Sequence, residues 1–109
     1  MMDGPERTVL LYVTCPDEAN AQSLGETLIR ERHAACANIL PGMVSLYMWE
    51  GALERANEVV LIVKTRAAAA PAAIDALQAM HPYETPAILQ VPVEGGHGAF
   101  LAWVAAETS

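Results

Sequence analysis

Apolar positions along the chain follow two rhythms. Thr8 to Thr14 is an unbroken apolar run with β-branched residues, which predicts a strand buried on both faces. Pro16-Asp17 stops it, and Asp17 is a good helix N-cap with acidic Glu18 in the first turn. From there to His33, Ala21, Leu24, Leu28 and Ile29 recur at helical spacing, and Arg30 and Arg32 stand near the end. Gly25 falls inside this helix and weakens it by roughly 1 kcal/mol relative to Ala, unless packing needs the space.

The rhythm then shortens. Ala34 to Leu40 and Met43 to Glu50 are β-prone, and Pro41-Gly42 between them predicts a kink or bulge within one long strand. Glu50-Gly51 begins a turn, and a third strand runs from about Leu53 to Thr65. The outer half of this hairpin extends past any neighbouring strand, and a lone two-stranded ribbon is marginal in water. Tyr47, Met48 and Trp49 therefore need something to pack on, most economically a partner subunit.

Ala67 to Met80 returns to helical spacing through Ala73, Ile74, Leu77 and Met80, with Pro71 tolerated only in the first turn. His81-Pro82 ends it, Pro86 to Val93 reads as an edge strand, and Phe100 to Val104 marks a C-terminal helix after Gly95-Gly96. The predicted fold is α+β: a ferredoxin-like βαββαβ sandwich with an antiparallel four-stranded sheet, a long hairpin between its second and third strands, and a C-terminal helix. Helices cover one face of that sheet. The other meets water or a partner.

Composition narrows the function. The 109 residues fit one domain, 1–109, and are 53% apolar with 17% charged, enough for a packed core. A net charge of −7, with Lys64 as the single lysine, argues against a sequence-independent nucleic-acid binder and against a polybasic membrane anchor. No apolar run approaches the roughly 20 residues of a membrane span, and the N-terminus is acidic, so the expected compartment is the cytoplasm. Cys15 and Cys36 are too few for a disulfide scaffold and are expected as thiols.

Two groups of residues could carry chemistry. Cys36 and His81 are a soft and a borderline ligand that would suit copper or zinc, although their separation does not say whether they meet, and Cys36 alone reads as a buried small hydrophobe. Lys64, Tyr83, Glu84 and Trp49 form the second group. Lys64 either pairs with Glu84 or Glu58 across a subunit boundary or holds an anionic ligand in a cleft lined by Tyr83 and Trp49. His33 and His97 lie near helix ends and read as dipole partners or surface residues. Neither a Gly-x-Ser-x-Gly elbow nor a phosphate-cradling loop occurs, so no enzyme is predicted.

Five blocks in order resemble the CutA family. They are Thr-Cys-Pro-Asp-Glu-Ala at 14–19, Ala-Ala-Cys-Ala-Asn-Ile-Leu-Pro-Gly at 34–42, and Ser-Leu-Tyr-Met-Trp-Glu-Gly at 45–51, followed by Glu-Val-Val-Leu-Ile-Val-Lys-Thr at 58–65 and His-Pro-Tyr-Glu-Thr-Pro-Ala-Ile at 81–88. The resemblance runs from Thr8 onward. It implies a ferredoxin-like subunit in a tight homotrimer, similar in shape to the PII signalling proteins, with a role in tolerance to copper and other divalent metals and no defined reaction. The family's cysteine before Asn-Ile-Leu-Pro-Gly is present as Cys36. The further first-strand cysteine of some members is replaced by Val13, with Cys15 displaced to the strand end, and 67–70 is an alanine tract where relatives often carry polar residues. Three functions follow as expectations: a trimeric metal-response protein binding copper or another divalent cation, a PII-like sensor of a small anionic ligand, or a trimeric scaffold without a site.

Overall fold

A computed structural model describes residues 4–109; Met1 to Asp3, the start of the acidic N-terminus, lie outside the described residues. The elements run β1 (Thr8–Cys15), α1 (Glu18–Arg30), β2 (Cys36–Trp49), β3 (Ala52–Arg66), α2 (Ala70–Met80), β4 (Ile88–Pro92) and α3 (Gly98–Glu107). The strands form one antiparallel sheet in the order β2-β3-β1-β4. This is the ferredoxin-like α+β arrangement that the periodicity predicts.

The core lies between α1, α2 and one sheet face. Leu11, Val13, Leu61 and Val63 from β1 and β3 meet Leu24 and Leu28 of α1 and Leu77 of α2, all buried. Each buried aliphatic side chain of this size contributes roughly 1.5–3 kcal/mol. Gly25 is part of that packing, because a Cβ there would stand 3.2 Å from the Cβ of Ala37.

Burial in β1 alternates, which corrects the expectation of a strand buried on both faces. Val9, Leu11, Val13 and Cys15 are sealed beneath the helices, while Leu10, Tyr12 and Thr14 on the opposite face are only half-buried. The chain places both long helices on one side, so an apolar run marks a strand whose second face lacks a full layer. Two helix bounds also shift inward. α1 ends at Arg30 because the amides of His33 and Ala34 both return to the carbonyl of Leu28 and Arg32 turns to φ 63°. α2 begins at Ala70, with Pro71 in its first turn as expected.

β2 and β3 continue beyond the sheet as a ribbon, giving the molecule extents of 45 × 25 × 22 Å. The register slips between Leu40 and Met43, where Gly42 takes φ 84°, so Pro41-Gly42 is the bulge. The ribbon closes on Glu50-Gly51 with both φ values positive (50° and 82°), the conformation of a two-residue type I′ hairpin. Leu46, Met48, Trp49 and Leu53 are each more than 60% exposed there. α3 docks near the opposite end of β3. Arg66 donates from Nε and from a terminal nitrogen to the carbonyl of Thr108, and Arg32 donates to that of Ala106.

Candidate functional site

Strand pairing decides which of the expected ligands meet. Cys36 opens β2 opposite Lys64, and Lys64 in turn lies opposite Leu10, so all three share the open sheet face. Cys36 is half-buried there. His81 belongs to the other end of the sheet. It is buried at the end of α2, where its Nε2 lies 2.8 Å from the carbonyl of Thr14 and its Nδ1 accepts the amide of Tyr83 at 3.0 Å. The Thr14 carbonyl can only accept, which assigns the proton to Nε2 and leaves both nitrogens engaged.

Thr14 pairs with Val60, four residues along β3 from the partner of Cys36. That spacing corresponds to roughly 13 Å of strand. One subunit therefore does not bring Cys36 and His81 together, which corrects any reading of them as a ligand pair within the chain. No group of three or more His, Cys, Asp or Glu side chains among the described residues is placed to hold an ion.

The remaining cysteine and histidines have structural surroundings. Cys15 is sealed in the core, and burial, with the nearby charges of Asp17 and Glu58, pushes its thiol up to about 11. His97 caps α3, its Nδ1 accepting the amide of Phe100 at 3.3 Å. His33 sits 3.5 Å from Glu31.

A cleft of about 840 Å³ opens where the ribbon leaves the sheet. The two-residue repeat of β2 brings Ser45, Tyr47 and Trp49 to it, and β3 supplies Glu54 and Glu58. Its other wall is the segment after α2. Pro82 keeps His81 extended, and Tyr83 then packs 4.9 Å from the His81 ring, centroid to centroid. From there the Tyr83 hydroxyl donates to Glu58 Oε2 at 2.7 Å. Burial, and then that hydrogen bond to a carboxylate, hold the phenol above its ordinary range.

Three of the four residues expected to form a ligand cleft meet here: Trp49, Tyr83 and Glu84. Lys64 does not join them. Its Nζ lies 5.6 Å from the centroid of the Phe100 ring, beside α3. Within one subunit the Glu58 carboxylate is held by Tyr83, and no ion pair of Lys64 occurs among the described residues. Sequence reasoning missed Tyr47, Glu54 and Glu58 as cleft residues. Alternation along the ribbon places Tyr47 with Trp49 and could have found the first.

The strand order, with α1 and α2 together on one face, defines a ferredoxin-like α+β protein, here with an extended β2–β3 ribbon. Comparison with known proteins gives the family. The sequence model for CutA1 divalent ion tolerance protein matches residues 9–107, and the chain belongs to that family. The divalent-cation tolerance protein CutA of Salmonella newport is 48% identical over 100 residues, covering 92% of this chain and 86% of its own length. Among solved structures, CutA from Xylella fastidiosa superposes with a TM-score of 0.92 at 40% identity, covering 94% of this chain and 98% of its own. The periplasmic divalent cation tolerance protein CutA of Archaeoglobus fulgidus superposes with a TM-score of 0.91 at 36% identity, covering 94% and 99%. No helix among the described residues is long and apolar enough to cross a membrane.

Proposed function

We propose that residues 1–109 form one domain that works in the cytoplasm as a non-catalytic homotrimer and confers divalent-cation tolerance by binding copper or another thiophilic ion at Cys36. The observation that carries this reading is the contrast between the two thiols: Cys15 is sealed in the core, whereas Cys36 is half-buried on the open sheet face. A thiolate at that place can take a second ligand from an adjacent subunit. His81 serves in this reading only as a donor to a thiol of another subunit, after releasing one of its two backbone partners. The trimer is supported by exposed apolar surface. Leu40 and Leu89 on the open face are 50% and 60% exposed, and the ribbon adds Leu46, Met48 and Leu53, more than an isolated subunit of this size would leave in water.

A sensor of a small anion has less support. Lys64 lies outside the cleft, and the lining carries Glu54, Glu58 and Glu84, which repel an anion. The test is a copper titration against a competing chelator, with wild type, Cys36→Ala and His81→Ala each checked for trimer by sedimentation. The expected result is tight binding at a fixed ratio per subunit that Cys36→Ala abolishes. Weak binding, or binding indifferent to Cys36→Ala in an intact trimer, overturns the metal reading and leaves the scaffold. Sedimentation as a monomer at micromolar concentration overturns the trimer.

A further inference from the structure

Lys64 is the single lysine of the chain, and its ammonium has no ion pair among the described residues. The side chain is half-buried, with Nζ 5.6 Å from the centroid of the Phe100 ring. A ring face attracts a cation without neutralising it, and an ammonium drawn out of water needs a carboxylate. The ribbon root of the same subunit does not supply one. Glu58 shares the face of Lys64 by the two-residue repeat but lies six residues along β3, roughly 20 Å of strand and beyond a lysine's reach. The helix beside Lys64 is also incompletely covered. From Gly98 to Ala106, α3 carries no charged side chain, yet only Val104 of its residues is buried. A helix apolar on every side is ordinarily covered on every side, whereas Phe100 and Trp103, with ring centroids 5.7 Å apart, are exposed.

The ribbon root, at the other end of β3, carries the complement. Exposed Tyr47 and Trp49 stand with Glu54, Glu58 and Glu84, and none of those carboxylates belongs to an ion pair among the described residues. The cleft they line is a feature of the isolated subunit, since its ribbon wall is surface that a trimer covers. Patches at opposite ends of one chain cannot meet within that chain. Between copies they can, and a contact between unlike patches closes into a ring where the rotation from one copy to the next allows it, as threefold symmetry does. Ammonium then meets carboxylate and aromatic meets aromatic, the complementarity of a specific interface.

We infer, resting on the trimer proposed above, that the copies join head to tail, with the α3 end of one filling the acidic cleft of the next. Lys64 of the first copy is set against Glu84 and Glu58 of its neighbour, and Phe100 and Trp103 against the neighbour's Trp49. The bond from Tyr83 holds Glu58 in place for this contact, while Glu84 is exposed in a single subunit and free to pair. Lys64, Trp49, Tyr83 and Glu84 come together in this arrangement, with the lysine drawn from a second copy.

The experiment is zero-length crosslinking of the full chain with a carbodiimide, which joins a lysine amine to a carboxylate in direct contact, with sedimentation run alongside. The expected result is covalent dimers and trimers on a denaturing gel, whose mapped crosslink joins Lys64 to Glu54, Glu58 or Glu84. Lys64→Arg keeps the charge and removes the reactive amine, so it sediments as the trimer and loses these bands. Lys64→Glu sets like charges together and weakens association by about tenfold or more, and adding Glu84→Lys to the same chain restores most of that loss. An intact trimer whose Lys64 forms no interchain crosslink, or one to a carboxylate outside the cleft, overturns the head-to-tail contact and leaves the trimer standing. Association indifferent to Lys64→Glu, or a charge swap that restores nothing, overturns it as well. Sedimentation of the wild type as a monomer overturns the trimer and this contact together.

Discussion

The hydroxyl of Tyr83 lies 2.7 Å from a carboxylate oxygen of Glu58, joining the segment after α2 to the root of the β2–β3 ribbon. A phenol bonded to a carboxylate resists losing its proton, because the product would set two negative charges side by side. Burial first, and then this bond, hold Tyr83 above the ordinary tyrosine range, and Glu58→Gln is expected to bring it part of the way back down. Absorbance near 295 nm across alkaline pH measures this, and an unchanged profile in Glu58→Gln removes Glu58 as the cause. The sign for stability follows. A phenol raised in the folded chain contributes stability fully present below its unfolded value, and that contribution is lost as pH climbs through the folded one. Tyr83→Phe destabilises by only about 0.5 kcal/mol, the low end for a hydrogen bond, because the side chain is 37% exposed.

The two thiols differ in kind. With burial pushing Cys15 from 9.0 to about 11, a thiol reagent at pH 8 reacts with Cys36 of the native chain and reaches Cys15 only after denaturant is added. Peptide mapping of the modified chain identifies the site, and native labelling of Cys15 contradicts its burial. The contribution of Cys15 to stability is complete below 9.0 and is lost as pH rises from there through about 11. Alkaline unfolding is accordingly less steep in Cys15→Ala.

Gly25 looks like a defect in α1 and is a fitting. Exchanging glycine for alanine inside a helix ordinarily gains about 1 kcal/mol. Here the new Cβ would stand 3.2 Å from the Cβ of Ala37 and 3.5 Å from Leu61 Cδ1. Ala37 sits on a paired strand opposite Val63 and cannot retreat far. Overpacking of this kind destabilises by about 1–3 kcal/mol, so Gly25→Ala is expected to lower stability by about 1 kcal/mol net. Adding Ala37→Gly should restore part of it in a double-mutant cycle by urea unfolding. A stabilised Gly25→Ala would mean that α1 shifts freely over the sheet.

Most of the fold was legible because its devices are local. Asp17 caps α1 through the amide of Asn20, Pro41-Gly42 makes the bulge, and Glu50-Gly51 makes the turn, each where the residues predict it. The candidate site was less legible. The split between Lys64 and the Tyr83 cleft depends on register: Lys64 faces Cys36 and Leu10, six residues along β3 from Glu58, while Glu58 faces Met43 beyond the bulge. The bond from Tyr83 to Glu58 arises because the chain after His81 folds back over the sheet end, and no local period records such a return. The continuous apolar run of β1 misled for a related reason. Leu10 and Tyr12 are apolar on a face that the chain itself leaves half open.

Arg66 holds the end of α3. Arg66 places two nitrogens, at 3.0 and 2.8 Å, on the carbonyl of Thr108, past the last turn of α3, where carbonyls lack helical partners and a cation is favoured. Its side chain is only 17% exposed, whereas its ion-pair partner Glu6 is 65% exposed and 3.4 Å away. The bonds to Thr108 therefore outweigh the ion pair, which at such exposure contributes little. Arg66→Ala is expected to destabilise by about 2 kcal/mol, the range for a hydrogen bond from a charged donor. Glu6→Gln should change stability by less than about 0.5 kcal/mol. Arg66→Lys keeps the charge and loses the planar fork, so it falls between them. Hydrogen exchange separates local from global loss. Amides of Ala102 to Glu107 should lose protection in Arg66→Ala while those of β1 and β3 keep theirs, and uniform loss across the chain would show that α3 unfolds only with the sheet.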